Sequence, residues 1–422
     1  MRPVGRKLAL LTALMVASAA PLPAQELLAA FLSPPEARQI ARRLSAAPMG
    51  REIVIGFGGD VNFARSRQNP SPTTVTKFAR LPIAQVTQTL AAELSGDINF
   101  VNVETVVSER NGASSASKAF VFRSHPEQFR HLIDLGVNAF ALANNHAYDH
   151  GRVGMRDTLD FFQSEDARGG PLLYAGVGYG DAAFAPHIME AGGVRVALSA
   201  VSFGSGSFAP APATIGMAYV SVAAHYNAVL REMARADADL KILSIHAGAE
   251  NVITLSPRIR AQFLRAVKEA GVHLVLGHHP HVVRAVERDG ESGAAVFHSL
   301  GNLLFIGGAG KDGDALGRDY GLWGRAYFTM TADGMRVTAL EAVPLKGVHN
   351  VPRHPTPARA RAILGHLNGL SRQGTGASAV TFDRVGETRP RGLACFPSEA
   401  FGPRARALCC TSASHCAIPD PM

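Results

Sequence analysis

Six short aliphatic runs limit what this chain can fold into: "REIVIGFGGD" (51–60), "DINFVNVE" (97–104), "VNAFALANNH" (137–146), "VRVALSAVSF" (194–203), "LKILSIHAG" (240–248) and "VHLVLGHH" (272–279). Each is too short for an ordinary helix and is built of β-branched and aliphatic residues, the pattern of a strand covered on both faces. Between several of them lie amphipathic stretches of helical length, Pro126 to Leu135, Val222 to Ala236 and Pro257 to Ala270. Strand and helix in alternation predict an α/β fold. Further on, "VVRAVE", "AAVFHS", "RAYFTMT" and "MRVTALEAVPL" read as strands without long helices between them, so the sheet is expected to be mixed, with antiparallel members. No internal repeat is visible.

Polar residues follow these runs with regularity. Asp60 ends the first and Glu104 the second; Asn144, Asn145 and His146 follow the third; His246 ends "LKILSI", and His278, His279 and His281 follow "VHLVL". Ligands of open α/β sheets gather at the carboxyl ends of strands, so five segments are expected to deliver acids, amides and imidazoles to one sheet edge. A single histidine after a strand is ordinarily structural, but five such endings point to a site. A carboxylate, a bridging carboxylate, an amide oxygen and three imidazoles suit two divalent ions of the Mn, Fe or Zn kind. Such a pair holds a phosphoryl oxygen and activates a water for in-line attack. His146, beside Asn145, is placed to protonate the leaving alkoxide.

The motifs "GGDVNF", "NVE", "LANNHAYDHG", "HAGAE", "GHHPHV" and "HSLGN", in that order, resemble the CapA (poly-γ-glutamate synthesis, PgsA-like) family of the calcineurin-like metallophosphoesterase superfamily, over about residues 53–345. The resemblance implies two mixed β-sheets packed face to face with helices outside. It also implies a metal set of Asp60, Glu104, Asn145, His246, His279 and His281, with His146 as the catalytic imidazole. An anionic substrate follows, either a phosphate ester or a poly-γ-glutamate-type polymer handled with a membrane-bound capsule-synthesis complex. Two function classes stay open: a phosphoesterase, and a non-catalytic polymer-binding component of capsule assembly or export.

Departures from the family pattern bear on both. The position two after Asp60, often histidine among calcineurin-like enzymes, is Asn62; the fourth motif lacks its usual Trp and Tyr and reads His246-Ala247-Gly248-Ala249-Glu250-Asn251. Supporting roles around the site are expected for Asn62, Asn102, Asn144, Asp149, Glu250, His278, His298 and Asn302, while His125, His150 and His273 are read as surface or structural.

The remaining features place the chain. Its formal charge of +8 is spread without a basic run, so no nucleic-acid partner is expected. The N-terminus, with Arg2, Arg6 and Lys7 ahead of an apolar stretch shorter than a membrane span, reads as an export signal over 1–24, with an uncleaved anchor as the alternative. A linker or helix over 25–50, the CapA-like domain over 51–346 and an extension over 347–422 complete the expected organisation. All four cysteines, Cys395, Cys409, Cys410 and Cys416, fall in that extension, and a periplasmic or extracellular setting allows two disulfides there, in any of three pairings.

Overall fold

The protein is described from a computed structural model over residues 50–75, 80–110, 116–306, 320–396 and 400–410. The expected signal, residues 25–49 and Cys416 lie outside these. Two mixed sheets carry the architecture. The first is built on β1 (Glu52–Asn62), with β2 (Ile98–Val103), β3 (Ala139–Ala141) and β4 (Leu173–Ala175) parallel to one another on one side. The second takes β5 (His187–Ala191), β6 (Val194–Ser202), β7 (Leu240–His246), β8 (Leu274–His278), β9 (Val286–Arg288) and β10 (Ala295–Phe297) in the order β5-β6-β7-β8-β10-β9, antiparallel only at its edges. The first sheet is completed by β11 (Asn302–Phe305), parallel to β1, and by β12 (Tyr320–Thr331) and β13 (Gly334–Lys346), antiparallel to it in succession.

Every residue of β1 is buried, and Phe57 on it meets Phe297 of the second sheet edge to face at 4.8 Å. Covered on both faces, the central strands have no use for the polar alternation of a half-exposed strand, which is why they read as unbroken aliphatic runs. Gly59 is required by a close approach: a Cβ there would lie 1.8 Å from the Gly301 carbonyl oxygen. Outside the second sheet pack α4 (Ala223–Arg235) and α5 (Pro257–Ala270), with Val229 and Met233 from one and Phe263 and Val267 from the other against Val201, Ile245 and Val275. Chain-order predecessors α1 (Ile83–Ala91), α2 (Pro126–Asp134) and α3 (Gly151–Gly169) accompany the parallel half of the first sheet. His125 caps α2, its Nδ1 accepting from the Glu127 amide, and His273 accepts the Lys241 amide; both are structural, as expected.

Past residue 346 the chain continues into the same sheet. After α6 (Pro357–Thr375), β14 (Asp383–Val385) and β15 (Arg391–Cys395) add to the β13 edge, and α7 (Pro403–Cys409) returns to β1. There Arg404 reaches Glu52 Oε2 at 3.1 Å and Asp97 Oδ2 at 2.5 Å, and a Cys395–Cys409 disulfide joins strand to helix. No helix among the described residues is long and apolar enough to cross a membrane.

Candidate metal centre

The expectation of one sheet edge is corrected by the topology. Asp60 lies near the end of β1, and Glu104 and Asn145 follow β2 and β3 of the first sheet, whereas His246 ends β7 and His279 and His281 follow β8 of the second. The site lies where the carboxyl ends of two facing sheets meet. Sequence periodicity marks strand ends but not sheet membership, so the two edges merged in the sequence reading.

Asp60 is the most fully held member. Its Oδ1 accepts from Asn102 Nδ2 at 2.8 Å and lies 3.2 Å from His278 Nδ1, while Oδ2 lies 3.3 Å from His281 Nδ1. Burial opposes its ionisation, but the imidazoles of His278 and His281 facing it outweigh that and hold the carboxyl well below the usual carboxylate range. Asn102 also contacts His246 Nδ1 at 3.2 Å, tying the two sheets together behind the site. Both are supporting contacts, and His278 approaches Asp60 from β8, where it sits level with His246 in the strand register.

Glu104 is the opposite case. It is fully buried, and among the described residues neither carboxylate oxygen has a hydrogen-bond donor. Around its Oε1 stand three imidazole nitrogens: His246 Nε2 at 3.5 Å, His281 Nε2 at 3.7 Å and His146 Nε2 at 3.8 Å. These distances are too long for hydrogen bonds. They suit a shared cation, because two donors bonded to one ion at about 2.1 Å with tetrahedral angles lie about 3.4 Å apart. Burial, with the Asp60 charge adding to it, drives the Glu104 carboxyl well above its ordinary range. A buried acid so penalised needs a positive partner, and the residues fit one. Asp60, Glu104 and His246 each offer a ligand atom within 4.8 Å of the others, and so do Glu104, His279 and His281, so Glu104 belongs to both groups as a bridging carboxylate would.

The imidazoles are aimed by the backbone. His279 has φ 93° and His281 φ 56°, left-handed values that cost a non-glycine residue about 1–3 kcal/mol and that collect at functional sites. Burial pushes His279 down to about 3 and His246 well below its usual value, so both are neutral and ligand-competent. Burial presses on His281 in the same sense, but there the hydrogen bond to Asp60 outweighs it and raises the value. Its Nδ1 also lies 2.9 Å from Asn302 Oδ1. Asn145 Oδ1 is 2.7 Å from His246 Nε2. Asn144 plays a different part. Its side-chain amide donates to the Val103 carbonyl at 2.6 Å and accepts the His146 amide at 3.0 Å, clamping the turn that carries Asn145 and His146 to the end of β2.

His146 Nδ1 is 2.7 Å from Asp149 Oδ2, an arrangement that leaves Nε2 facing Glu104. Burial lowers its affinity for a proton, with Asp149 opposing. The sequence reading missed Lys118, whose Nζ lies 2.5 Å from Asp149 Oδ1 and donates to the Asn145 carbonyl at 2.6 Å. It comes from a loop and does not end one of the aliphatic runs, so no local signal marks it.

Three expected supporting residues stand apart. Asn62 spends its amide on the Ala64 backbone, accepting at 3.0 Å and donating at 2.8 Å, so this position serves a turn. His298 is turned into a separate buried network, 2.7 Å from Glu287 Oε1, which Arg260 also holds. Glu250 is exposed, near enough for its charge to act on Glu104 and His281.

Residues 54–306 match the family model described as bacterial capsule synthesis protein PGA_cap. The PGA biosynthesis protein CapA of Bacillus subtilis (strain 168) is 30% identical over 205 residues, 48% of this chain and 52% of its own length. The capsule biosynthesis protein CapA of Bacillus anthracis is 28% identical over 207 residues, 47% of this chain and 48% of its own. This chain thus spans about half the length of the curated relatives it matches. Among solved structures, the calcineurin-like phosphoesterase YfkN from Bacillus subtilis is 13% identical with a TM-score of 0.40, covering 77% of this chain and 99% of that one. At that level of overlap the sheet order described above remains the ground for the fold.

Proposed function

The chain belongs to the bacterial capsule synthesis protein PGA_cap family, and from that premise we propose that it is an exported, metal-dependent phosphoesterase acting in the making of a capsular or poly-γ-glutamate-type polymer. One observation carries the chemistry: the buried Glu104 carboxylate, without a hydrogen-bond donor, ringed by imidazole nitrogens at 3.5–3.8 Å. A scaffold gains nothing from such a group, since a buried ionisable side chain without a partner costs stability. Asp60, Glu104, Asn145, His246, His279 and His281 would hold two divalent ions of the Mn, Fe or Zn class. When bound, they supply Lewis-acid stabilisation of phosphoryl charge and a nucleophile from water.

The chain's own part lies in holding and moving protons. Asp149 fixes the His146 ring through Nδ1, so that Nε2 is presented to the site as the proton donor to the departing oxygen. Lys118 holds Asp149 and the Asn145 carbonyl, keeping acid and ligand in one frame. The Cys395–Cys409 disulfide supports export to an oxidising compartment.

The test is hydrolysis of p-nitrophenyl phosphate and bis-p-nitrophenyl phosphate by the purified chain with added Mn²⁺. His146→Ala is expected to lose about 10²–10⁴-fold in rate while keeping its ions, and His279→Ala to lose both ions and rate. Full activity in His146→Ala would remove His146 from the chemistry. The relatives' names favour a second reading, a polymer-binding component. It takes over if wild type and His146→Ala are equally inactive yet support capsule formation equally well in cells.

A further inference from the structure

Arg284 lies three residues beyond His281 and is 2% exposed. Its guanidinium is spent on carbonyls of another segment: Nε donates to Val252 at 2.8 Å and Nη2 to Ala249 at 2.9 Å. These carbonyls belong to the turn that follows His246, and the same turn is tied back by Asn251, whose amide donates to the Pro280 carbonyl at 2.8 Å. Pro280 separates His279 from His281. With the Ala247 amide donating to the His278 carbonyl at 3.0 Å, four hydrogen bonds join the segment carrying one proposed ligand to the segment carrying two others, and two of the four come from Arg284. The turn is shaped to admit the guanidinium. Gly248 has φ +129°, and a Cβ there would lie 2.5 Å from Arg284 Nη1 and 3.2 Å from Pro280 Cγ.

Among the described residues no carboxylate pairs with this guanidinium, which makes its burial unfavourable, and burial alone pulls Arg284 down to about 10. A role in metal attraction does not explain it, because its charge opposes that of a cation: it acts on nearby His279 in the sense that disfavours positive charge. What remains is geometry.

We propose that Arg284 is a positioning residue that clamps the 247–252 turn to the 278–284 segment and so sets the spacing of His246 against His279 and His281. The inference rests on the metal-centre reading above. The clamp and a plain electrostatic effect predict opposite signs, which makes substitution informative.

In Arg284→Met, loss of the clamp is expected to weaken Mn²⁺ binding, measured by calorimetry on the metal-stripped full chain, by about 10–100-fold, the range typical of residues that orient metal ligands. Loss of the charge alone would leave binding unchanged or tighten it. Arg284→Lys keeps the charge but cannot make both carbonyl contacts in the same fork, so it too should bind weakly; wild-type affinity in Arg284→Lys overturns the proposal. Gly248→Ala, which crowds the guanidinium from the other side, is expected to weaken binding in the same direction. In the metal-free protein, amide exchange over 247–252 should quicken at least about tenfold in Arg284→Met, with exchange in β1 and β8 unchanged. Unchanged exchange in the turn also overturns the proposal. If the wild type takes up no Mn²⁺ at all, the metal-centre reading fails, and the clamp is decided by the exchange measurement alone.

Discussion

At the scale of single residues, the site divides into groups that are satisfied by the protein and one that is not. Asp60 is surrounded by donors, and Asn144 is consumed in holding a turn. Glu104 alone among the site carboxylates lacks any donor on either oxygen. Glu104→Gln is therefore expected to act in two directions. It removes a buried acid that favours protonation, so the metal-free variant should melt no lower than wild type and at neutral pH somewhat higher. It also removes the ligand shared by both candidate groups, so ion uptake should fall at least about tenfold. Calorimetric melting with and without Mn²⁺ checks both. The sequence showed the residues that end strands, because that position is itself a signal. It did not show Lys118, which acts from a loop, or Arg284, which lies within the "VVRAVE" run, where a strand pattern says nothing of which segment a side chain will reach. Nor did it separate His298 from the ligands, since "HSLGN" gives no sign that His298 turns toward Glu287 and away from the site.

At the scale of elements, five of the six runs end at the site because their strands are parallel and adjacent within each sheet. Strand β6, the sixth run, contributes Phe203 just past its end, whose ring lies 4.4 Å from that of His279. Helices α4 and α5 were legible from their apolar periodicity. The 19-residue helices α3 and α6 were not: in α3 glycine, arginine and aspartate interrupt the apolar residues, and in α6 the stripe of Ala360, Ile363, Leu364, Leu367 and Leu370 is diluted by glycine and arginine between its members. The extension past 346 also illustrates what local pattern omits, since pairing of β15 with β13 is a long-range event. Its disulfide closes a separation of 14 residues, and a loop of that size stabilises by about 3 kcal/mol. Replacing Cys395 and Cys409 together by serine should lower stability by about that amount, read by urea unfolding. Ion content should be unchanged, because α7 packs on Val54, Tyr327 and Ala339, toward the opposite end of β1 from Asp60.

At the scale of the whole molecule, the buried titratable groups make stability depend on pH in a definite direction. His246, His273 and His279 are all held below their ordinary value by burial, His273 to about 4 and His279 to about 3. Each stays neutral in the folded protein while its unfolded counterpart takes up a proton near pH 6.5. Their contribution is present above that pH and is lost as pH falls, at up to about 1.4 kcal/mol per group per pH unit. Glu104 has the opposite sign: its raised value favours folding at low pH and is lost as pH rises through that value. His146 and His298 are lowered by burial as well, whereas His281 is raised and sides with Glu104. With the lowered imidazoles in the majority, the metal-free protein should lose stability below about pH 6.5, which urea unfolding from pH 7 to 5 would reveal. Bound ions should steepen the loss, because protons compete for the same nitrogens.

The proposal that the two facing sheet edges form a metal centre bridged by Glu104 has a direct readout. It is tested most directly by elemental analysis of the purified chain after reconstitution with Mn²⁺ or Zn²⁺ and removal of excess. About two ions per wild-type chain are expected, with a marked loss in Glu104→Gln. Fewer than about 0.1 ion per wild-type chain, where a site of this ligand set should fill, would contradict the proposal.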